Sequence, residues 1–221
     1  MSHVCDELVP LVDRSFRTLV GRDHRGVAGK SSGGFGAMVH AMLRPDVWGA
    51  AACHSGDSYF EWCFLPDFPR VARVVGAAGG VRPFLRRFFE KNKRSSGDHH
   101  AVMALAMAAC FDPQPEHPDG FELPFDLHTG EMNPARWANW LRWDPLRMIR
   151  DHLDALRSLR LLFIDCGDRD QYHLQFGARR MRNALMRHGV AHDYEEFPDD
   201  HSGIDYRLDV SLPRLQRALA G

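Results

Sequence analysis

Residues 29–33, Gly-Lys-Ser-Ser-Gly, set a serine between glycines two positions away on either side. This G-x-S-x-G pattern is how a nucleophilic serine is held on a sharp turn from strand to helix: its backbone is strained, and side chains at the flanking positions would strike neighbouring backbone. Gly29 and Gly33 therefore make Ser31 the candidate nucleophile. The next amide, that of Ser32, falls at the N-terminus of the following helix, where unpaired N–H groups and the helix dipole favour a developing oxyanion. One short segment thus offers attack and half of an oxyanion hole. Ser32 is the poorer nucleophile, because Lys30 stands where its own elbow needs glycine. Gly29-Lys30-Ser31 also matches the end of a phosphate-binding G-x-x-x-x-G-K-[ST] loop. That pattern needs glycine where this chain has His24, and a short apolar run, Gly26 to Ala28, leads straight into Gly29 with no room to wrap a phosphate.

An acid and a base must reach Ser31 from elsewhere. Leu161-Leu162-Phe163-Ile164 reads as a buried strand ending in Asp165-Cys166-Gly167-Asp168-Arg169-Asp170, with a helical stretch from about Tyr172 to His188 beyond it. A triad acid projects from such a loop. Asp165 reads as structural at the strand end, Asp168 as a cap for the next helix, and Asp170 lies furthest into the loop. Asp193 to Phe197 reads as a second short strand, and the Pro198-Asp199-Asp200 loop after it carries His201. An acid from this loop and His201, both following Ser31, keep the chain order Ser, Asp, His of the G-x-S-x-G enzymes rather than that of the two large serine-protease folds. With 13 histidines in the chain, a given one is most often a surface or capping residue, and an aspartate after a strand most often a turn. Asp165-x-x-Asp168-x-Asp170 lacks the spacing of a calcium loop, so no metal and no cofactor is expected.

The positioning elements frame these residues. One helix, apolar at Val4, Leu8, Leu11, Val12 and Phe16, and one strand at His24 to Ala28 precede Ser31. Residues 57–148 read as a helical insert between two parts of a core, 1–56 and 149–221. Helices are expected at 82–92, 99–110 and 134–142, separated by a Pro-rich loop from Asp112 to Pro124. Its aromatic residues, among them Tyr59, Phe60, Trp62, Phe84, Phe88, Trp137, Trp140 and Trp143, recur at helical spacing, the usual mark of a core, although a cap over a nucleophile uses the same residues to line an acyl pocket. Lys91-Asn92-Lys93-Arg94 reads as a solvated helix end.

Composition narrows the classes. The 221 residues, 44% hydrophobic, can bury a sizeable core, and one domain with an insert is expected rather than two independent ones. A net charge of -1, from 28 basic and 29 acidic residues, gives no electrostatic case for nucleic acid or a membrane surface. Five cysteines without C-x-x-C spacing argue against a disulfide framework or a zinc ribbon. No signal peptide and no membrane-length apolar segment is visible, and a cytoplasmic location is expected.

With these residues in place, the chain resembles the Putative esterase family of α/β-hydrolases, which includes enterochelin-esterase-like proteins and S-formylglutathione hydrolases. Asp6 to Val12 and Arg22 to Gly29 are similar to the helix and strand before the family's elbow, Gly33-Gly34-Phe35-Gly36-Ala37 to its pattern after the nucleophile, and Asp165-Cys166-Gly167 with Asp170 to its acid loop. The resemblance implies Ser31 as nucleophile, Asp170 as orienting acid and His201 as base, acting on a small-molecule ester or thioester. Ser32 stands where methionine is common in the family, which leaves its backbone donor intact.

The implied fold is a three-layer α/β architecture, a mostly parallel sheet of about four strands with helices on its faces and an inserted helical cap. Only 30 residues precede Ser31, where an α/β-hydrolase has about half its sheet and the loop supplying the second oxyanion donor. The chain thus resembles the C-terminal half of that fold plus an insert. An open sheet edge at the elbow strand predicts a homodimer. The competing functional class is a catalytically silent interaction protein that keeps the half-fold.

Overall fold

The structure, a computed structural model, describes residues 1–220. Its chain forms two compact units, Met1–Cys63 together with Asp144 onward, and Phe64–Trp143. In the first, His3–Leu8 winds as a π-helix into α1 (Val9–Ser15), followed by β1 (Gly26–Lys30), α2 (Ser32–Leu43), β2 (Ala50–His54) and α3 (Phe60–Cys63). The second unit holds α4 (Phe68–Ala77), α5 (Val81–Glu90), α6 (Ser96–Phe111) and α7 (Pro134–Leu141). The first unit resumes with α8 (Pro145–Met148), α9 (Leu153–Arg157), β3 (Leu161–Gly167), α10 (Leu174–Arg187), β4 (Asp193–Phe197) and α11 (Leu208–Leu219).

The four strands make one sheet in the order β1-β2-β3-β4, every pair parallel. Lys30 pairs with His54, His54 with Asp165, and Gly167 with Phe197, so all four strands deliver their following loops to one edge. That carboxyl edge is where open parallel sheets place their ligands. β2 is buried along its whole length. Ala50 and Ala52 pack with Phe163 and Leu215, with Leu161, Val210 and Leu219 around them; burying Phe163 and Leu215 stabilises the unit by roughly 1.5–3 kcal/mol each. Small side chains on β2 let α11 lie close against the sheet.

The N-terminal segment departs from the expected pattern. Cys5 packs with Val47 and Trp48, joined by Val9 and Val27, whereas Val4, Leu8, Leu11, Val12 and Phe16 are exposed. Val4 and Leu8 lie in the π-helical turns, Leu11 and Val12 in the regular α1 and Phe16 just past it. β1 also begins later than expected, since Arg22–His24 form a 3-10 turn.

Residues 57–63 and 144–148, assigned to the insert on sequence, belong to the first unit. Asp144 holds them there: its carboxylate accepts from the Tyr59 and Phe60 amides at 3.0 and 3.1 Å and caps α8 through Leu146 N. The second unit has its own aromatic core. Trp140 is fully buried and meets Phe64 and Phe68 edge-on, each at 5.7 Å between centroids, while Phe68 packs on Phe125 at 4.5 Å. A capping box between Ser95 and Asp98 starts α6 earlier than the apolar spacing suggests. The run 91–94 is not a free solvated end: Lys91 Nζ pairs with Asp98 at 2.8 Å and Arg94 lies 4.7 Å over the Phe88 ring. No helix among the described residues is long and apolar enough to cross a membrane.

Candidate active site

Ser31 occupies the tight turn between β1 and α2 with φ 58° and ψ −127°, a conformation that L-residues adopt only when surrounding structure imposes it. Two backbone bonds impose it: Ser31 N donates to His54 O, and Phe35 N donates to Ser31 O, both at 2.9 Å. Although Ser31 is the residue before α2, its side chain makes no capping bond. The hydroxyl is left free, and no hydrogen bond joins it to His201 among the described residues. A Cβ on Gly29 would lie 2.3 Å from the Gly33 carbonyl carbon, so glycine is obligatory there. Gly33 itself has open space around it. The second close approach is made by Gly34, whose Cβ would fall 2.9 Å from Gly56 Cα and from His54 O. The crowding expected at Gly33 is thus displaced by one residue, because the partner pressing on α2 is the loop after β2.

Asp170 and His201 come from the loops after β3 and β4. His201 Nδ1 lies 2.7 Å from Asp170 Oδ2. A carboxylate only accepts, so Nδ1 carries the proton and Nε2 is left as the basic nitrogen of the neutral ring. Asp170 Oδ1 accepts from Tyr172 N at 2.9 Å, His201 N donates to Gln171 Oε1 at 2.9 Å, and the Tyr172 ring meets the imidazole edge-on at 4.9 Å. The loops can come this close because residue 167 is glycine; a Cβ there would be 2.4 Å from Asp199 O.

The other loop acids are elsewhere. Asp165 is buried in the sheet and bound to His54 and Arg207. Asp168 is exposed and does not cap α10, whose first turn is preceded by His173 in the left-handed region with no side-chain cap. No group of three or more His, Cys, Asp or Glu side chains among the described residues could hold a metal ion.

Two polar features escaped the sequence reading. Asp57, at the same sheet edge, is 6% exposed and accepts from Ser32 Oγ at 3.1 Å; burial pushes its carboxyl up to about 6. Deeper, His54 Nδ1 lies 2.7 Å from Asp165 Oδ1 and His54 Nε2 2.9 Å from Ser211 Oγ. The missing signal for both was β2: Ala-Ala-Ala-Cys has little β-propensity, but as an uninterrupted apolar run bounded by Gly49 and Gly56 it is the pattern of a strand buried on both faces.

A strained serine after the first strand and a hydrogen-bonded Asp–His pair at the same carboxyl edge define an α/β-hydrolase type of site. Residues 2–211 match the model of the Esterase family, described as Putative esterase, and the chain belongs to that family. Among solved structures it is similar to a ferulic acid esterase, at TM-score 0.56 and 17% identity over 98% of this chain and 60% of the other. It is also similar to S-formylglutathione hydrolase FrmB of Staphylococcus aureus, at TM-score 0.52 and 16% identity over 96% of this chain and 61% of that one. A third, the fluorophosphonate-binding serine hydrolase FphF of the same organism, gives TM-score 0.50 and 15% identity over 96% and 61%. At these identities the likeness is one of fold, and the chain spans about 60% of the length of these structures. No curated protein matches it.

Proposed function

We propose that this chain is a serine hydrolase that cleaves a carboxylic ester or thioester through an acyl-enzyme intermediate. The observation that carries the reading is the strained backbone of Ser31, held on the same sheet edge as the Asp170–His201 pair. Ser31 Oγ attacks the substrate carbonyl while His201 Nε2 takes its proton; the oxyanion meets the Ser32 N–H at the start of α2. The intermediate expels the alcohol or thiol, which takes the proton back from the imidazolium. Water then repeats the sequence on the acyl-enzyme. Asp170 keeps Nδ1 protonated, so that Nε2 faces the chemistry as the base. A burst of product from an activated short-chain ester, equal to the enzyme and lost in Ser31→Ala, is the expected result. Absence of both burst and turnover would favour a silent interaction protein.

The same reading extends to assembly. Among the described residues β1 pairs only with β2, and Gly26 and Ala28 on it are exposed. Beside it a cleft of about 600 Å³ is lined by Leu8, Val12, Leu19 and Leu219. A second copy supplies a complementary strand edge and an equal apolar lining, so a twofold homodimer across β1 is the arrangement that covers both. Light scattering should give twice the 25.1 kDa chain mass; an active, monodisperse monomer would rule the dimer out.

A further inference from the structure

Asp57 is a buried carboxylate without a cation. Its only hydrogen bond among the described residues comes from Ser32 Oγ, and no lysine or arginine is paired with it. The ionisable groups facing it are His201, which favours its charge, Asp170, which opposes it, and, on the strand before its loop, Cys53, whose thiol burial pushes up to about 12 and so keeps neutral. The loop carrying it cannot slide: a Cβ on Gly56 would lie 2.8 Å from the Gly34 carbonyl carbon, so the two backbones are already in contact and Asp57 is fixed over the first turn of α2. If the bond to Ser32 were the whole purpose, an uncharged asparagine would make it without the cost of burying a carboxylate. The one cation available to this carboxylate is the imidazolium that forms on His201 during turnover.

We propose that Asp57 is a positioning residue for hydrolysis: its charge stabilises the His201 imidazolium while Asp170 holds the tautomer, and its bond to Ser32 fixes the turn that presents the oxyanion donor. This rests on the assignment of Ser31, Asp170 and His201 given above. Around the imidazole the charged and polar partners are Asp170 at 2.7 Å, the Tyr172 ring at 4.9 Å, and Asp57. Asp57 acts on the proton-transfer steps, not on substrate binding, so its loss should appear in kcat and in the pH profile.

The test compares wild type, Asp57→Asn and Asp57→Glu with an activated acetate ester, after fluorophosphonate labelling has been read on each. Asp57→Asn should lose about tenfold in kcat with KM within about twofold, and the acid limb of its kcat/KM profile should move to lower pH by about half a unit or more, because an anion facing the imidazole has gone. Asp57→Glu should restore the acid limb in part. Should Asp57→Asn fail to fold, Asp57→Ser carries the same comparison. A folded, labelled Asp57→Asn with wild-type kcat and an unmoved acid limb overturns the role of Asp57 alone. Failure of the wild type itself to be labelled at Ser31 overturns instead the hydrolase assignment on which it rests.

Discussion

The first unit contains two groups of serine, histidine and aspartate, and only one of them has the features that the proposed hydrolysis needs. At the sheet edge stand Ser31, His201 and Asp170; inside the sheet stand Ser211, His54 and Asp165. In both, a histidine Nδ1 lies 2.7 Å from a carboxylate. The inner set even has the shorter path to its serine, with Ser211 Oγ 2.9 Å from His54 Nε2. Yet Ser211 and Asp165 are completely buried, Ser211 lies within the ordinary turns of α11, and Arg207 Nε occupies the second oxygen of Asp165 at 2.8 Å. No substrate carbonyl can reach that hydroxyl, and the carboxylate is already neutralised by arginine. Ser31 differs in each respect: a strained turn, a free hydroxyl, and the first amide of a helix beside it. Hydrogen-bond distance alone therefore does not define a catalytic triad. Access, backbone strain and an oxyanion donor do.

The largest effect that can break this contrast is at the two serines. Ser31→Ala should lower ester turnover by about 10³-fold or more, whereas Ser211→Ala should keep near wild-type turnover per folded molecule and cost about 1–2 kcal/mol of stability in denaturant unfolding. Equal loss of turnover in both would erase the distinction. His54→Leu is next. It orphans the Ser211 hydroxyl and removes one partner of Asp165, for an expected loss of about 3 kcal/mol in unfolding free energy, while the fraction that remains folded should still react.

Asp57 sharpens the comparison through pH. Burial raises its folded-state pKa from 3.8 to about 6, so ionising it penalises the folded state. The penalty is absent below about pH 4, grows as pH rises through about 6 and is complete above it, reaching up to about 3 kcal/mol. Asp57→Asn should therefore be more stable than wild type at pH 8 and equal to it at pH 4 by chemical denaturation; a difference independent of pH would refute this. The smallest effect is expected for Ser32→Ala, which keeps the backbone amide and should retain turnover within about tenfold of wild type.

How much of this was legible in the sequence depends on the range of the interaction involved. Ser31 announced itself because an elbow is local: glycine, serine and glycine within five residues. β3 stood out as an apolar run ended by an acidic loop, and β4, Asp-Tyr-Glu-Glu-Phe, as a short strand before a Pro-Asp-Asp turn; the order of Asp170 and His201 followed. The inner constellation left no trace, since His54, Asp165 and Ser211 meet only through the register of β2 with β3 and the packing of α11. The closeness of Gly34 to Gly56 was equally hidden, being a contact between segments more than twenty residues apart, and the expectation placed that constraint on Gly33. The exposure of Val4, Leu8, Leu11, Val12 and Phe16 was beyond the sequence for a different reason: periodicity marks which residues share an apolar face, not what covers it.

The most direct measurement is to treat the protein with a fluorophosphonate probe and locate the adduct by peptide mass spectrometry. One phosphonyl group on Ser31, absent after heat denaturation and in Ser31→Ala but present in Ser211→Ala and Ser32→Ala, is the predicted result. An adduct on Ser32 or Ser211, or none on the folded protein, would contradict the assignment of Ser31 as the nucleophile of an esterase site.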